Sequence, residues 1–226
     1  MIINLAYNNM LPTIFGLIIS LFGIKYIGRI FNSFNFFGDT YSGQLIFSDI
    51  KKWILVLIIF IIILFWENRA LISIGFRETS FTSIIQAACL GVISVILAMF
   101  ILGIVYNVLG LEEPDTLSSI ASVPIMIKLM TITTAAVTEE ILYRGYSIER
   151  INELSGSLLL AGIISGFIFL AIHYSDWGIA GAIPQVIFTI FLVSFYIKTR
   201  DLKACIVMHW VINFLMIIVL PSLMAG

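Results

Sequence analysis

Apolar residues in this chain gather into long blocks instead of alternating or recurring along one helical face. The blocks run about Met10–Ile27, Trp53–Trp66, Ser83–Leu109, Ser119–Leu142, Leu158–His173, Ile179–Ile197 and Ala204–Leu223. A helix needs roughly 20 predominantly apolar residues to cross bilayer hydrocarbon. The pattern therefore predicts an all-α fold, a polytopic transmembrane bundle of about seven helices, within a range of roughly six to eight. Trp53–Trp66 is short, with Lys51 and Lys52 before it and Glu67 after it. It reads as a short span or a partly embedded helix, flanked by snorkelling lysines and interfacial tryptophans. The mixed stretch Phe31–Ser48 reads as an interfacial loop with room for a short amphipathic helix, and Gly110–Ser118 as a turn. We divide the chain into N-terminal transmembrane helices with their loop, 1–110, and a second bundle carrying the chemistry, 111–226.

Composition sharpens this picture. Only 11% of the 226 residues are charged and 61% are hydrophobic, against about 25% charged in a soluble domain. The solvent is lipid, and the protein is expected to be integral to a membrane. A net charge of −1 offers no field for nucleic acid. The two cysteines, Cys89 and Cys205, both sit in apolar blocks and form neither a disulfide framework nor a metal knuckle. The N-terminus lacks a basic segment before its first apolar block, so that block is expected to be retained as a span.

Lysines and arginines in connections set orientation. Arg144 and Arg150 follow the fourth block, and Lys198, Arg200 and Lys203 the sixth, while Gly110–Ser118 and Tyr174–Gly178 have none. The basic side is expected to be cytoplasmic. One region conflicts with strict alternation of seven spans: Lys25, Arg29, Lys51 and Lys52 would all fall on the other side.

Polar residues inside apolar helices need a reason, because a central charge costs about 2.5–3.5 kcal/mol on insertion scales. Three groups stand out. In Glu139-Glu140-Ile141-Leu142-Tyr143-Arg144, Glu140 and Arg144 share a helix face and can pair, while Glu139 points about 100° away and is expected to stay free. In Phe169-x-x-x-His173, a histidine closes an apolar helix. In His209-x-x-x-Asn213, two polar side chains face one way inside the last span. Taken singly, each has a bland reading: a structural ion pair, a polar helix end, interhelical hydrogen-bond glue. Together they form a hydrolase set. A Glu–His pair can hold and deprotonate water, and a His with an Asn can donate hydrogen bonds to an oxyanion.

The ordered trio Glu-Glu-x-x-x-Arg, Phe-x-x-x-His and His-x-x-x-Asn resembles the CPBP family, the CAAX prenyl endopeptidases and bacteriocin-processing or immunity membrane proteins also called Abi. The resemblance covers roughly Ser119–Leu220. It implies an intramembrane protease in which Glu139 and His173 activate the attacking water, His209 and Asn213 form the oxyanion hole, and Glu140, Arg144 and Phe169 support the site. It implies a peptide or lipidated peptide as substrate, alongside membrane lipid. The alternative is a non-catalytic scaffold or bacteriocin self-immunity protein. No cofactor is expected; the minority reading is a metalloendopeptidase with zinc on Glu139, His173 and His209. The Ile-, Asn- and Phe-rich usage suggests a bacterial cytoplasmic membrane, with the site open to the cytoplasmic side.

Overall fold

A computed structural model describes residues 2–31, 37–38, 40–109 and 123–224. All regular structure among them is helical. Helix α1 is Ile2–Phe31 and α2 is Tyr41–Ile61, prolonged by a π-turn Ile62–Trp66. A 3-10 turn, Leu71–Ile74, leads to α3, Phe81–Leu109. Helix α4, Ile125–Glu139, continues without interruption as a π-helix, Glu140–Ile148, and then as α5, Glu149–Ser155. Helix α6, Leu158–Thr199, is broken at Gly178, whose φ of 64° and ψ of −166° are non-helical. Helix α7, Leu202–Phe214, continues as a π-turn, Leu215–Val219, and ends in α8, Leu220–Met224.

Three segments are long and apolar enough to cross a membrane, Phe81–Val105, Gly181–Thr199 and Leu202–Leu223; Met10–Tyr26 and Leu158–Tyr174 are shorter apolar helices. Their outer faces carry bare hydrocarbon, as at Ile96, Phe100, Leu159 and Phe167, each about two-thirds exposed. Such a surface is stable only against lipid. The axis of the bundle is the opposite case. From Thr138 to Ile151 every residue is buried, five charged side chains included.

Lipid provides no hydrophobic force between helices, so close approach and polar pairing hold them together. Gly162 and Gly166 lie one turn apart on the first limb of α6, and a Cβ on Gly162 would stand 2.6 Å from Ile197 Cδ1 and 2.8 Å from Val193 Cγ1. These glycines let the two limbs pack as an antiparallel hairpin that reverses at Gly178. Arg150 is the polar counterpart. It is fully buried, grips Glu67 through Nε and Nη2 (2.6 Å at the shortest), and reaches Ser73 and Glu153. Tyr146 and Thr13 donate to the same Glu67 carboxylate at 2.8 and 3.2 Å. One ion pair thereby ties α1, the end of α2, the π-helix and α5. At this same end Arg200 pairs with Glu149, Leu202 N bonds Gly75 O, and Asp201 caps α7 while accepting from Thr79 and Ser83.

Several expectations are corrected. The stretch read as an interfacial loop is helical from Tyr41 onward, started by a Thr40 side chain that accepts from Gly43 N. Polar residues 40–44 and 48–52 lower its hydropathy, but they face the protein interior or begin a helix. Lys51 and Lys52 are therefore inside α2, not at the edge of a short span. Residues 32–40 contain no lysine or arginine, so Lys51 and Lys52 leave the conflict with strict alternation while Lys25 and Arg29 stay in the last two turns of α1. Arg144 and Arg150 are buried helix residues, not connection charges. Tyr174–Gly178 is helical apart from its glycine. The turn read at Gly110–Ser118 lies outside the described residues.

The hairpin predicts a rescue. Gly162→Leu should destabilise the detergent-solubilised protein by about 1–3 kcal/mol through overpacking, and adding Ile197→Ala should recover much of that. Unfolding the two variants side by side tests it; equal stability of Gly162→Leu and the parent would refute the close approach.

Candidate active site

Glu139 is the last residue of α4 and Glu140 the first of the π-helix, so the paired carboxylates straddle a change of helical period. Such π segments occur often at functional sites. Both are buried, at 5% and 0% exposure. Each has its own cation. Arg144 Nη1 stands 2.9 Å from Glu140 Oε1, one turn along, as the spacing predicts. Lys52 Nζ stands 2.7 Å from Glu139 Oε1, from the other side of the bundle. The expectation of a free Glu139 is thus corrected: α2 begins early enough to carry Lys52 into the interior.

His209, in the second turn of α7, bridges the carboxylates. Its Nδ1 is 2.8 Å from Glu140 Oε1 and its Nε2 is 4.0 Å from Glu139 Oε2. A carboxylate already paired with arginine accepts, so Nδ1 carries the hydrogen. The 4.0 Å gap exceeds a direct hydrogen bond and lies within the span of one bridging oxygen.

Phe169 explains its place in the pattern. Its ring lies beneath the Arg144 guanidinium (4.5 Å), packs edge-on to Tyr143 (5.0 Å) and faces the His173 ring (4.1 Å). The guanidinium nitrogens of Arg144 meet no acceptor in hydrogen-bond geometry among the described residues, so the Glu140 charge and the Phe169 π-face are what balance it. His173 Nδ1 donates to Phe169 O at 2.9 Å, which leaves Nε2 as the lone-pair nitrogen of the neutral ring.

These groups meet at a cavity of about 330 Å³. Glu139, His173, His209 and Asn213 all line it, as do Lys52 and Asp49. Glu140, Arg144 and Phe169 stand behind its wall. The boundary drawn at residue 110 separates groups that share this one cavity. Asp49, one turn from Lys52, is buried; its Oδ2 accepts from Thr131 at 2.9 Å, while Oδ1 has no hydrogen-bond partner among the described residues. The indole N–H groups of Trp53 and Trp210 donate to Thr134 and Thr133 at 3.1 Å, clasping α4 from two sides.

The sequence reading missed Lys52 and Asp49. The available signal was the i, i+3, i+4 spacing of Asp49, Lys52 and Trp53 leading into an apolar run, which puts the three on one helix face. Among the described residues no three His, Cys, Asp or Glu side chains converge as a metal-binding set. The cavity is lined by Tyr41 at the start of α2, Leu102 late in α3, Thr131 early in α4 and Pro221 near the chain's last turn, all towards the end opposite the basic connections.

Residues 120–215 match the family model described as type II CAAX prenyl endopeptidase Rce1-like. The match covers both glutamates, both histidines and Asn213, and excludes Asp49 and Lys52. No curated protein and no solved structure matches the chain.

The ion pair across the cavity is testable without a substrate. Lys52→Met leaves a buried carboxylate uncompensated and should cost about 3–5 kcal/mol of stability, whereas Lys52→Met with Glu139→Gln should recover most of it. Thermal unfolding of both variants decides; equal losses in the single and double variants would show that the pair is not formed.

Proposed function

Because residues 120–215 belong to the type II CAAX prenyl endopeptidase Rce1-like family, an intramembrane protease family, we propose that this chain hydrolyses a peptide bond in a membrane-associated peptide, prenylated or bacteriocin-like. The observation that carries this reading is the meeting of Glu139, His173, His209 and Asn213 around one largely apolar cavity. A peptide-sized volume, a carboxylate and hydrogen-bond donors are the parts that acyl transfer to water needs.

In this mechanism Glu139, held at Oε1 by Lys52, keeps Oε2 towards His209. The lone pair of His173 Nε2 helps to hold a water. Glu139 takes a proton from that water as its oxygen attacks the scissile carbonyl carbon. The carbonyl π-electrons move to oxygen, and the resulting oxyanion accepts hydrogen bonds from Asn213 Nδ2 and His209 Nε2. A ring that already gives Nδ1–H to Glu140 donates through Nε2 in its doubly protonated form, and the two flanking carboxylates are the counter-charges that form requires. Collapse of the intermediate breaks the C–N bond, and the proton held on Glu139 passes to the departing amine. Arg144 acts through Glu140, fixing the carboxylate that orients His209. Donors aimed at an oxyanion act strongly in such a dry site.

The donor chemistry fits a metal-free route better than zinc. Of the three candidate ligands, Glu139 already holds an ammonium at 2.7 Å, and His209 has its Nδ1 committed to Glu140. A second cation would crowd Lys52. We also read the protein as a bacterial cytoplasmic-membrane protein whose two halves, 1–110 and 111–226, supply an electrostatic shell and the catalytic bundle respectively.

Two measurements test the reading. Glu139→Gln should slow cleavage of a quenched farnesylated CaaX peptide by the reconstituted protein about 10²–10⁴-fold, the contribution of a general base. Comparative peptidomics of parent and Glu139→Gln membranes extends the test to native peptides; unchanged peptides there, with unchanged turnover of the probe, would sink the hydrolase reading. Metal content is the second measurement. Activity should persist in chelator, and stoichiometric zinc with chelator-sensitive cleavage would overturn the metal-free route.

A further inference from the structure

Proton transfer to Glu139 unbalances the charges around it. When Glu139 takes the proton of the attacking water it becomes neutral, and its charge passes to the oxyanion. Lys52, whose ammonium stands 2.7 Å from Glu139 Oε1, then faces an uncharged carboxyl group. An ammonium that loses its counter-charge in so dry a site is strongly destabilising. The neighbouring cations keep theirs: Arg144 and His209 both hold Glu140, at 2.9 and 2.8 Å.

Asp49 is placed to receive that ammonium. It precedes Lys52 by three residues on α2, so the two side chains are neighbours on one helix face, in the i, i+3 relation of helical ion pairs. Asp49 is buried, at 3% exposure, and lines the same cavity. Thr131 donates to its Oδ2 at 2.9 Å and fixes the carboxylate, while Oδ1 has no hydrogen-bond partner among the described residues. The fields of Lys52 and Glu139 both reach it. Among the described residues, the carboxylates lining the cavity are Asp49 and Glu139, so Lys52 has two to choose between. A buried acceptor without a donor is costly, and Lys52 is the donor one turn away. Asp49 lies outside residues 120–215, so the family match gives it no role.

We propose that Asp49 is the alternate counter-ion of Lys52: the ammonium passes from Glu139 to Asp49 Oδ1 as Glu139 takes the water's proton, and returns as that proton leaves with the amine. Charge is conserved throughout. Before attack Lys52 offsets Glu139. In the intermediate Lys52 offsets Asp49, Glu139 is neutral, and the oxyanion carries the charge that Glu139 gave up. One O–H bond of water breaks while a C–O bond and the Glu139 O–H bond form, and no other proton or electron is called for. Asp49 is a positioning residue that acts through Lys52 and does not touch the substrate. Its part in turnover rests on the endopeptidase reading above; the exchange of Lys52 between two carboxylates does not.

Glu139→Gln stands in for the protonated glutamate, so the exchange can be read without substrate. Four full-length chains are unfolded in detergent: the parent, Asp49→Asn, Glu139→Gln and the double variant. Either single change leaves Lys52 one of its two carboxylates, whereas the double variant removes both. Its unfolding constant should exceed the product of the single effects by about tenfold or more. Adding Lys52→Met to the double variant should restore most of that loss, including the case where the double variant does not fold at all. Single effects that simply multiply, or a triple variant no more stable than the double, would overturn the proposal. Turnover gives a separate reading. On the quenched farnesylated CaaX peptide, Asp49→Asn should lower kcat about tenfold at unchanged KM, the loss of one charged hydrogen bond made only after proton transfer. Asp49→Glu should keep most of the parent's kcat. A raised KM at full kcat would put Asp49 on the substrate and overturn its part in turnover. Unfolding that follows the expected pattern in chains that leave the peptide intact would refute the hydrolase reading and uphold the exchange.

Discussion

A carboxylate held in hydrocarbon has to be matched by a cation within a few ångströms, and this bundle is arranged around that demand. The segment Thr138–Ile151 is buried throughout and carries Glu139 facing the cavity, Glu140 behind its wall, a third glutamate at Glu149, and Arg144 and Arg150. Each charge is met from a different direction: Lys52 from α2, Arg144 from within the helix, Glu67 from the end of α2, Arg200 from the end of α6. At low dielectric such pairs contribute little net stability compared with an apolar core, but losing one member is severe. They select one packing among the many that an oily surface alone would allow.

The two clusters along that segment serve different ends. The Glu67–Arg150 pair is satisfied on nearly every side by Tyr146, Thr13, Ser73 and Glu153, and it closes the basic end of the bundle. The glutamate pair is satisfied incompletely. Glu140 Oε2 and the guanidinium of Arg144 lack hydrogen-bond partners among the described residues, and Asp49 Oδ1 does too.

The sequence made the helical class and the candidate residues legible because both depend on local pattern. Long apolar blocks announce spans, and Glu139, His173, His209 and Asn213 stood out as polar residues where none is cheap. Their convergence on one cavity accords with that reading. The early start of α2 was hidden for a physical reason. Lys51 and Lys52 look like the water-facing flank of a span, and only the tertiary partner, Glu139, reveals that Lys52 faces inward. The same holds for Arg150, whose charge reads as a connection residue until Glu67 is seen opposite it. Hydropathy reports how costly a residue is to bury, not whether something across the bundle offsets that cost.

The π-helix at Glu140–Ile148 has a consequence for how this segment tolerates change in length. A stretch with the wider i to i+5 bonding accommodates one residue more than an α-helix of the same axial register. Removing a single residue there would restore the ordinary period and leave Arg150 facing Glu67, whereas removing one from the α-helical Ile125–Glu139 would turn everything after it by about 100°. The glutamate face and the Glu67–Arg150 lock are thus phased with one residue to spare, and a deletion absorbed in this stretch becomes, one turn earlier, a rotation of one half of the molecule's axis against the other.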